Sequence, residues 1–275
     1  MTEFGQTIRE LRKERKLSQI TLAKGVCSQS VLSRIENGEE IPNVLVMHEL
    51  CKKLGVSLDR LLHYGKSQAQ EIQDFLDLLW IYFRAKDWEL LGETIGESAI
   101  AKNVQFIEDK QELAFFEGFL SCIIEENYAK AIEELTLALN LSYYPQKKFL
   151  SFMEVIILSA RGFTYHRAKQ IVLAEGDFYK AMESVYYLPK DTQKAELSIL
   201  FYYFADFLFS ISQFSESQKL IKQGIRWLRN FESFFFLEEL LQLQAKILLN
   251  DKEDNEAEIY LTFAQDLNRL CQFLS

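Results

Sequence analysis

The sequence predicts an all-α protein in two parts: a small helical domain over residues 1–65, then a row of stacked helix pairs over residues 69–275. Three observations carry this expectation. Only 11 glycines and 3 prolines occur in 275 residues, so long stretches are free of helix breakers. In the first 65 residues, short segments of helical apolar spacing are bracketed by cap residues and turn glycines. Further on, a polar turn followed by an aromatic residue, with a small or apolar residue three positions later, recurs four times.

Composition narrows the class. Hydrophobic residues make up 48 % and charged residues 26 %, enough to bury a core and too apolar for disorder. The N-terminus shows no basic-then-apolar leader, and the most apolar stretch, Ile199–Ile211, carries Asp206 and falls short of the ~20 residues of a membrane span. A cytoplasmic protein with no membrane partner is expected. The cysteines at 27, 51, 122 and 271 are scattered and read as small buried hydrophobes, so neither a disulfide frame, a metal nor a cofactor is expected. Charge is uneven: residues 1–65 hold ten Lys/Arg against eight Asp/Glu, a net +2, which leaves −11 for the remainder of a chain at −9. A mildly basic head on an acidic body suits one nucleic-acid-binding module attached to a body that a duplex repels.

In the first helix Phe4, Ile8 and Leu11 share a face, and Arg9, Arg12, Lys13, Arg15 and Lys16 occupy its other faces and its end. Ser18 caps a short second helix with Leu22 and Ala23 inward, and Gly25 allows the turn that follows. Ser28 caps a third helix ending at Glu36; Leu32 and Ile35 point inward, which leaves Gln29, Ser30, Ser33 and Arg34 outward. Amides, hydroxyls and a guanidinium are the groups that read base edges and grip phosphates. Asn37-Gly38 stops this helix, a fourth runs from about Asn43 to Leu54 before Gly55, and a fifth is expected from Ser57 to Leu62.

Leu17-Ser18-Gln19, Ala23, Ser33-Arg34-Ile35-Glu36-Asn37-Gly38, Pro42 and Leu54-Gly55-Val56-Ser57-Leu58 together resemble the phage-repressor-like (XRE) class of helix-turn-helix domains. The spacing from the alanine to Ser-Arg-Ile-Glu is one residue shorter than usual, and Cys27 stands where that pattern has valine. With that shortened turn, Leu22–Ser30 resembles the PlcR/Rgg/PrgX-type regulators of Gram-positive bacteria. That family joins this domain to tetratricopeptide-like repeats that bind short peptide pheromones. The resemblance implies that Gln29 and Ser30 read bases from the start of the recognition helix, with Ser28 as its cap. It also implies that Arg12, Arg15, Gln19, Ser33 and Arg34 hold the DNA backbone.

Polar residues with a glycine, Tyr64–Gln68, mark the expected linker. Beyond it the repeated pattern reads Asp87-Trp88 with Leu91, Asn127-Tyr128 with Ala131, Asp177-Phe178 with Ala181, and Gln213-Phe214 with Ser217. Asp254 with Ala257 is a fifth instance without the aromatic, and the spacings are 40, 50, 36 and 40 residues. Two antiparallel helices cannot bury both faces alone, so stacked pairs close a continuous core. The pattern resembles degenerate tetratricopeptide repeats, which implies a right-handed superhelix of about five pairs. Within it, a long helix over residues 146–175 is expected to bend at Gly162.

The standard repeat position of the turn aromatic assigns the concave lining. It is apolar first (Leu76, Trp80, Phe83 and Arg84, then Leu113, Phe116, Leu120, Ile123 and Ile124) and polar later (His166, Gln170, Tyr202, Asp206, Glu239, Gln242 and Lys246). Such a gradient suits an extended short peptide, with Arg84 and Lys86 available to a terminal carboxylate. Singly, His166, Tyr202 and the Phe234-Phe235-Phe236 run read more simply as packing residues. No phosphate-binding loop, metal-ligand spacing or nucleophile elbow is found, and His48, His63 and His166 share no motif, so catalysis is not expected.

The expected protein is thus a homodimer on a two-fold double-stranded DNA operator, with Phe231–Leu241 as its dimer platform and a signalling peptide as its ligand. Two alternatives stand beside it: a helix-turn-helix repressor sensing another ligand or none, and a repeat scaffold that grips other proteins.

Overall fold

The computed structural model describes residues 3–57, 67–104 and 106–274, and the chain divides into two compact units, Met1–Phe75 and Leu76–Ser275. Among the described residues there are fourteen α-helices and two short 3-10 turns, and no strand.

The first unit contains α1 (Glu3–Glu14), α2 (Gln19–Ala23), α3 (Gln29–Glu36) and α4 (Val44–Leu54). Ser18 and Ser28 are the caps the sequence predicts, and Asn43, where the fourth helix is expected to begin, is a third: their side chains accept from the backbone N–H groups of Thr21, Val31 and Val46. Gly25, Gly38 and Gly55 take φ of 78°, 74° and 63°, the left-handed backbone that ends one element and aims the next. Ile8, Leu11, Leu22, Ala23, Leu32, Ile35, Leu50, Cys51 and Leu54 form the core. Beyond Ser57 the expected fifth helix, Ser57–Leu62, lies outside the described residues, as do all of residues 58–66; Ser67 opens α5 (Ser67–Ala85), inside which the division between the units falls.

Gly5 is a close-approach glycine that sequence reading passed over. A Cβ there would stand 2.0 Å from the carbonyl oxygen of Ile35, so α1 crosses the end of α3 backbone to backbone.

The second unit begins within α5 and continues as pairs: α5 with α6 (Trp88–Glu97), α7 (Ile107–Ile123) with α8 (Tyr128–Asn140), α9 (Phe152–Arg167) with α10 (Ile171–Val185), α11 (Ser198–Ser210) with α12 (Phe214–Asn230), and α13 (Leu237–Asn250) with α14 (Asp254–Leu274). One backbone device makes all five turns. Lys86, Glu126, Lys169, Ser212 and Lys252 each adopt a positive φ, between 49° and 64°. At four of these turns the next residue donates its N–H to a carbonyl five residues back: Asp87 to Tyr82, Gln170 to Tyr165, Gln213 to Leu208 and Glu253 to Leu248. Left-handed backbone costs a residue with a side chain about 1–2 kcal/mol, and this closure offsets it by satisfying carbonyls at the helix end. Five residues beyond each turn residue stands Leu91, Ala131, Ala174, Ser217 or Ala257, every one 0 % exposed.

The structure corrects the third repeat. Asp177-Phe178 lies in the middle of α10, and the turn is Lys169-Gln170, with Ala174 in the small-residue position. With that shift the spacings become 40, 43, 43 and 40 residues. The long bent helix is likewise two helices, α9 and α10, and the chain turns at Lys169 rather than at Gly162. Gly162 instead accommodates the Phe178 ring, which a Cβ there would meet at 3.0 Å.

Gly5→Ala is expected to lower the stability of the first unit by about 1–3 kcal/mol, the usual cost of overpacking. Hydrogen exchange of α1 and α3 peptides checks this, and the α9–α12 peptides should exchange as in the parent.

Candidate nucleic-acid interface and ligand face

The interface is built outward from a buried ion pair. Arg12 is 9 % exposed and Glu36 1 %. Nε and Nη2 of Arg12 donate to the two carboxylate oxygens of Glu36 at 2.6 and 2.8 Å, and its Nη1 donates to the carbonyl of Leu17 at 2.8 Å. Gln19 Nε2 also donates to Glu36, at 2.9 Å, and Gln29 Nε2 donates to Gln19 Oε1 at 2.7 Å. A continuous chain of hydrogen bonds therefore runs from the core to the first residue of α3. Burial pushes the Glu36 carboxyl up, but the bonds from Arg12 and Gln19 outweigh it and hold the carboxyl below its usual range.

This arrangement corrects the role expected for Arg12. All three of its donor nitrogens named above are turned into the fold, so it anchors α1 to α3 and does not lie on the surface for phosphates. The other expected residues sort as follows. Ser28, Gln29, Ser30 and Arg34 are exposed, Gln19 and Ser33 are half-buried, and Arg15 is exposed on α1, with Nη1 donating to Leu11 O at 3.3 Å. Arg34 pairs with Glu40 at 2.6 Å, both side chains reaching solvent. Sequence reading missed Glu36, the centre of the chain, and Lys53, whose ammonium donates to the carbonyls of Leu22 and Lys24 at the end of α2. The Arg12–Glu36 separation of 24 residues left no local signal for their pairing.

In the repeat unit most of the expected apolar lining is core: Leu76, Trp80, Phe83, Leu113 and Phe116 are buried, whereas Leu120 and Ile123 are half-buried and Ile124 is exposed. Trp80 is 6 % exposed, and Leu76, Phe83 and Phe116 are 0 %. Phe83 packs within 5.9 Å, centroid to centroid, of Trp80, Trp88, Phe115, Phe116, Phe119 and Phe235. Arg84 and Lys86 are not free for a ligand carboxylate either: Arg84 pairs with Glu196 at 2.7 Å and Lys86 with Glu239. In the expected platform Phe231–Leu241, Phe235, Phe236 and Leu240 are buried, Phe231, Leu237 and Leu241 are half-buried, and Phe234 is exposed.

The polar lining is partly brought together. His166 on α9 and Tyr202 and Asp206 on α11 are half-buried. Burial lowers the His166 pKa, partly opposed by Asp206, and raises that of Tyr202, with Asp206 and Glu239 adding to the rise. The buried Nδ1 of His166 has no hydrogen-bond partner, and its ring stands edge-on to Phe207. Gln170 is exposed at the α9–α10 turn, and Gln242 donates to Glu238, itself held by Asn268, so neither joins the Tyr202–Asp206 group. Among the described residues no group of three or more His, Cys, Asp and Glu is arranged to hold a metal ion, and no helix is long and apolar enough to cross a membrane.

The first unit is a helix-turn-helix domain: a family model of that description matches residues 8–61, and α2, the Gly25 turn and α3 supply the geometry. Over 98–99 % of its length the chain has the fold of three solved structures. PlcR of Bacillus thuringiensis, in complex with the peptide PapR7 and DNA, is 19 % identical with a TM-score of 0.73, covering 99 % of this chain and 98 % of that one. ComR of S. thermophilus, with DNA and its signalling peptide ComS, is 18 % identical with a TM-score of 0.61, covering 98 % and 94 %. The pheromone receptor Rgg2 of Streptococcus dysgalactiae is 18 % identical with a TM-score of 0.53, covering 98 % and 95 %. No curated protein matches the chain in sequence.

Arg12→Ala leaves a buried carboxylate without its cation and should cost about 3–5 kcal/mol, whereas Arg15→Ala should leave stability unchanged. Because the folded Glu36 pKa lies below its unfolded value, its stabilisation is complete above the unfolded pKa and is lost as pH falls through the folded one. Urea titrations of parent and Glu36→Gln across the acid range check this: the variant should lose part of the parent's acid sensitivity.

Proposed function

We propose that the chain is a homodimeric, DNA-binding transcription regulator controlled by a short signalling peptide bound on the concave face of its repeat unit. The observation that carries this is α3: one short helix, anchored at its core by Glu36, that leaves Ser28, Gln29, Ser30 and Arg34 exposed along its outer side. Support for the peptide comes from the full-length likeness to PlcR and ComR, whose structures hold both a peptide and DNA.

In this reading α3 enters the major groove, Gln29 and Ser30 meet base edges, and Ser28, Ser33, Arg15, Gln19 and Arg34 hold phosphates. Arg34 exchanges Glu40 for a phosphate at small cost, since an exposed pair is worth about 0–1 kcal/mol. One short helix reads few bases, so two copies about 34 Å apart engage a two-fold site. The dimer platform is the last pair, where Ile259, Phe263 and Leu270 leave an exposed apolar stripe on α14. The peptide acts by preferring one packing of the repeats, which shifts the population of head spacings.

Fluorescence anisotropy on a duplex from the chain's own upstream region tests the reading, with and without short apolar peptides from the host's culture medium. Binding should fall steeply with salt and change with peptide; binding that is absent at every salt concentration contradicts it. Gln29→Ala should relax base preference at one position, whereas Arg15→Ala should weaken binding to all sequences and reduce the salt slope by about 1.

A further inference from the structure

In a row of stacked helix pairs, each pair ordinarily touches only its neighbours. Among the described residues, contacts made by Phe83, Arg84 and Lys86, at the end of α5 and the turn after it, break that rule. Arg84 Nη1 donates to Glu196 Oε1 at 2.7 Å, joining the first pair to the segment that leads into the fourth. Lys86 Nζ donates to Glu239 Oε1 at the start of the fifth pair. The same ammonium lies 4.7 Å from the centroid of the Phe236 ring, and the rings of Phe83 and Phe235 are 5.6 Å apart.

The segment that delivers Phe235 and Phe236 is strained. Glu232 and Phe236 adopt φ of 49° and 61°, and a bulky aromatic in left-handed backbone persists only where its surroundings over-determine it. They do so here: Ser198 Oγ donates to the carbonyl of Phe235 at 2.9 Å, and the Phe236 ring packs on Tyr202 and Tyr203. Glu239 spends one carboxylate oxygen on Lys86, while the other is buried with no hydrogen-bond partner. The Glu239 carboxylate thus keeps bonding capacity that its contact with Lys86 does not fill.

We propose that these contacts form an intramolecular clasp that closes the repeat row across its concave face. Phe235 and Phe236 are its apolar half, and the Arg84–Glu196 and Lys86–Glu239 pairs its ionic half. The inference rests on the reading of that face as the ligand site and adds its regulation: a ligand that opens the clasp must supply apolar and anionic groups in place of the chain's own.

Hydrogen exchange of the full chain, read by mass spectrometry without DNA or peptide, tests the clasp in the segments 79–86 and 231–239. Lys86→Glu and Glu239→Lys should each speed exchange in both segments roughly tenfold, and the double reversal should restore the parent rates. Should a reversal unfold the chain, the near-isosteric Glu196→Gln and Glu239→Gln take its place, with an expected rise of about threefold in both segments. Parent-like exchange in the single variants, or a double reversal no slower than the singles, overturns the clasp. Because no ligand is present, that result leaves the peptide reading untouched, and a failure to bind peptide leaves the clasp standing.

Discussion

The arrangement of the first unit depends on one buried ion pair. Taking a carboxylate out of water costs several kcal/mol unless its bonding capacity is filled. Glu36 meets that condition with two bonds from Arg12 and one from Gln19. The consequence is geometric. Glu36 is the last residue of α3, Arg12 belongs to α1, and Gln19 opens α2, so one carboxylate fixes three helices. Gly5 reinforces the same junction by bringing α1 against the carbonyl of Ile35. Held at its inner end, α3 can leave its outer residues to solvent without losing its position, and the proposed reading of DNA requires that.

The repeat unit achieves order by a different route. Its five turns repeat one left-handed residue and, five positions on, one fully buried residue that is small at four of the five (Ala131, Ala174, Ser217 and Ala257) and Leu91 at the first. Between the turns the helices are cross-linked by Arg161–Asp177 and by stacked rings such as Phe178–Phe204. The contacts between the first and last pairs are where a ligand is proposed to bias the packing.

Legibility from sequence follows the range of the interactions. Caps and turns are local, so Ser18, Ser28, Asn43, Gly25, Gly38 and Gly55 were readable, and with them the helices that carry Gln29, Ser30 and Arg34. Arg12 was misplaced because its partner lies 24 residues away, and a basic residue on an amphipathic helix reads as solvated until that partner is known. The third repeat was misplaced because Asp177-Phe178 carries the polar-aromatic signature within a helix, whereas the actual turn, Lys169-Gln170-Ile171, lacks the aromatic. Trp80, Phe83 and Phe116 were assigned to a surface by repeat position alone; the packing of rings from successive pairs, and of Phe235 from the fifth, makes them core. Long-range pairing decides these cases, and periodicity does not encode it.

The central claim is that an anchored α3 reads a duplex in two copies. Hydroxyl-radical footprinting of the chain on its own upstream region measures this most directly. The account predicts two short protected patches on one face of the DNA, about 10 base pairs apart or a multiple of that. Uniform protection along the fragment, or none, would contradict it.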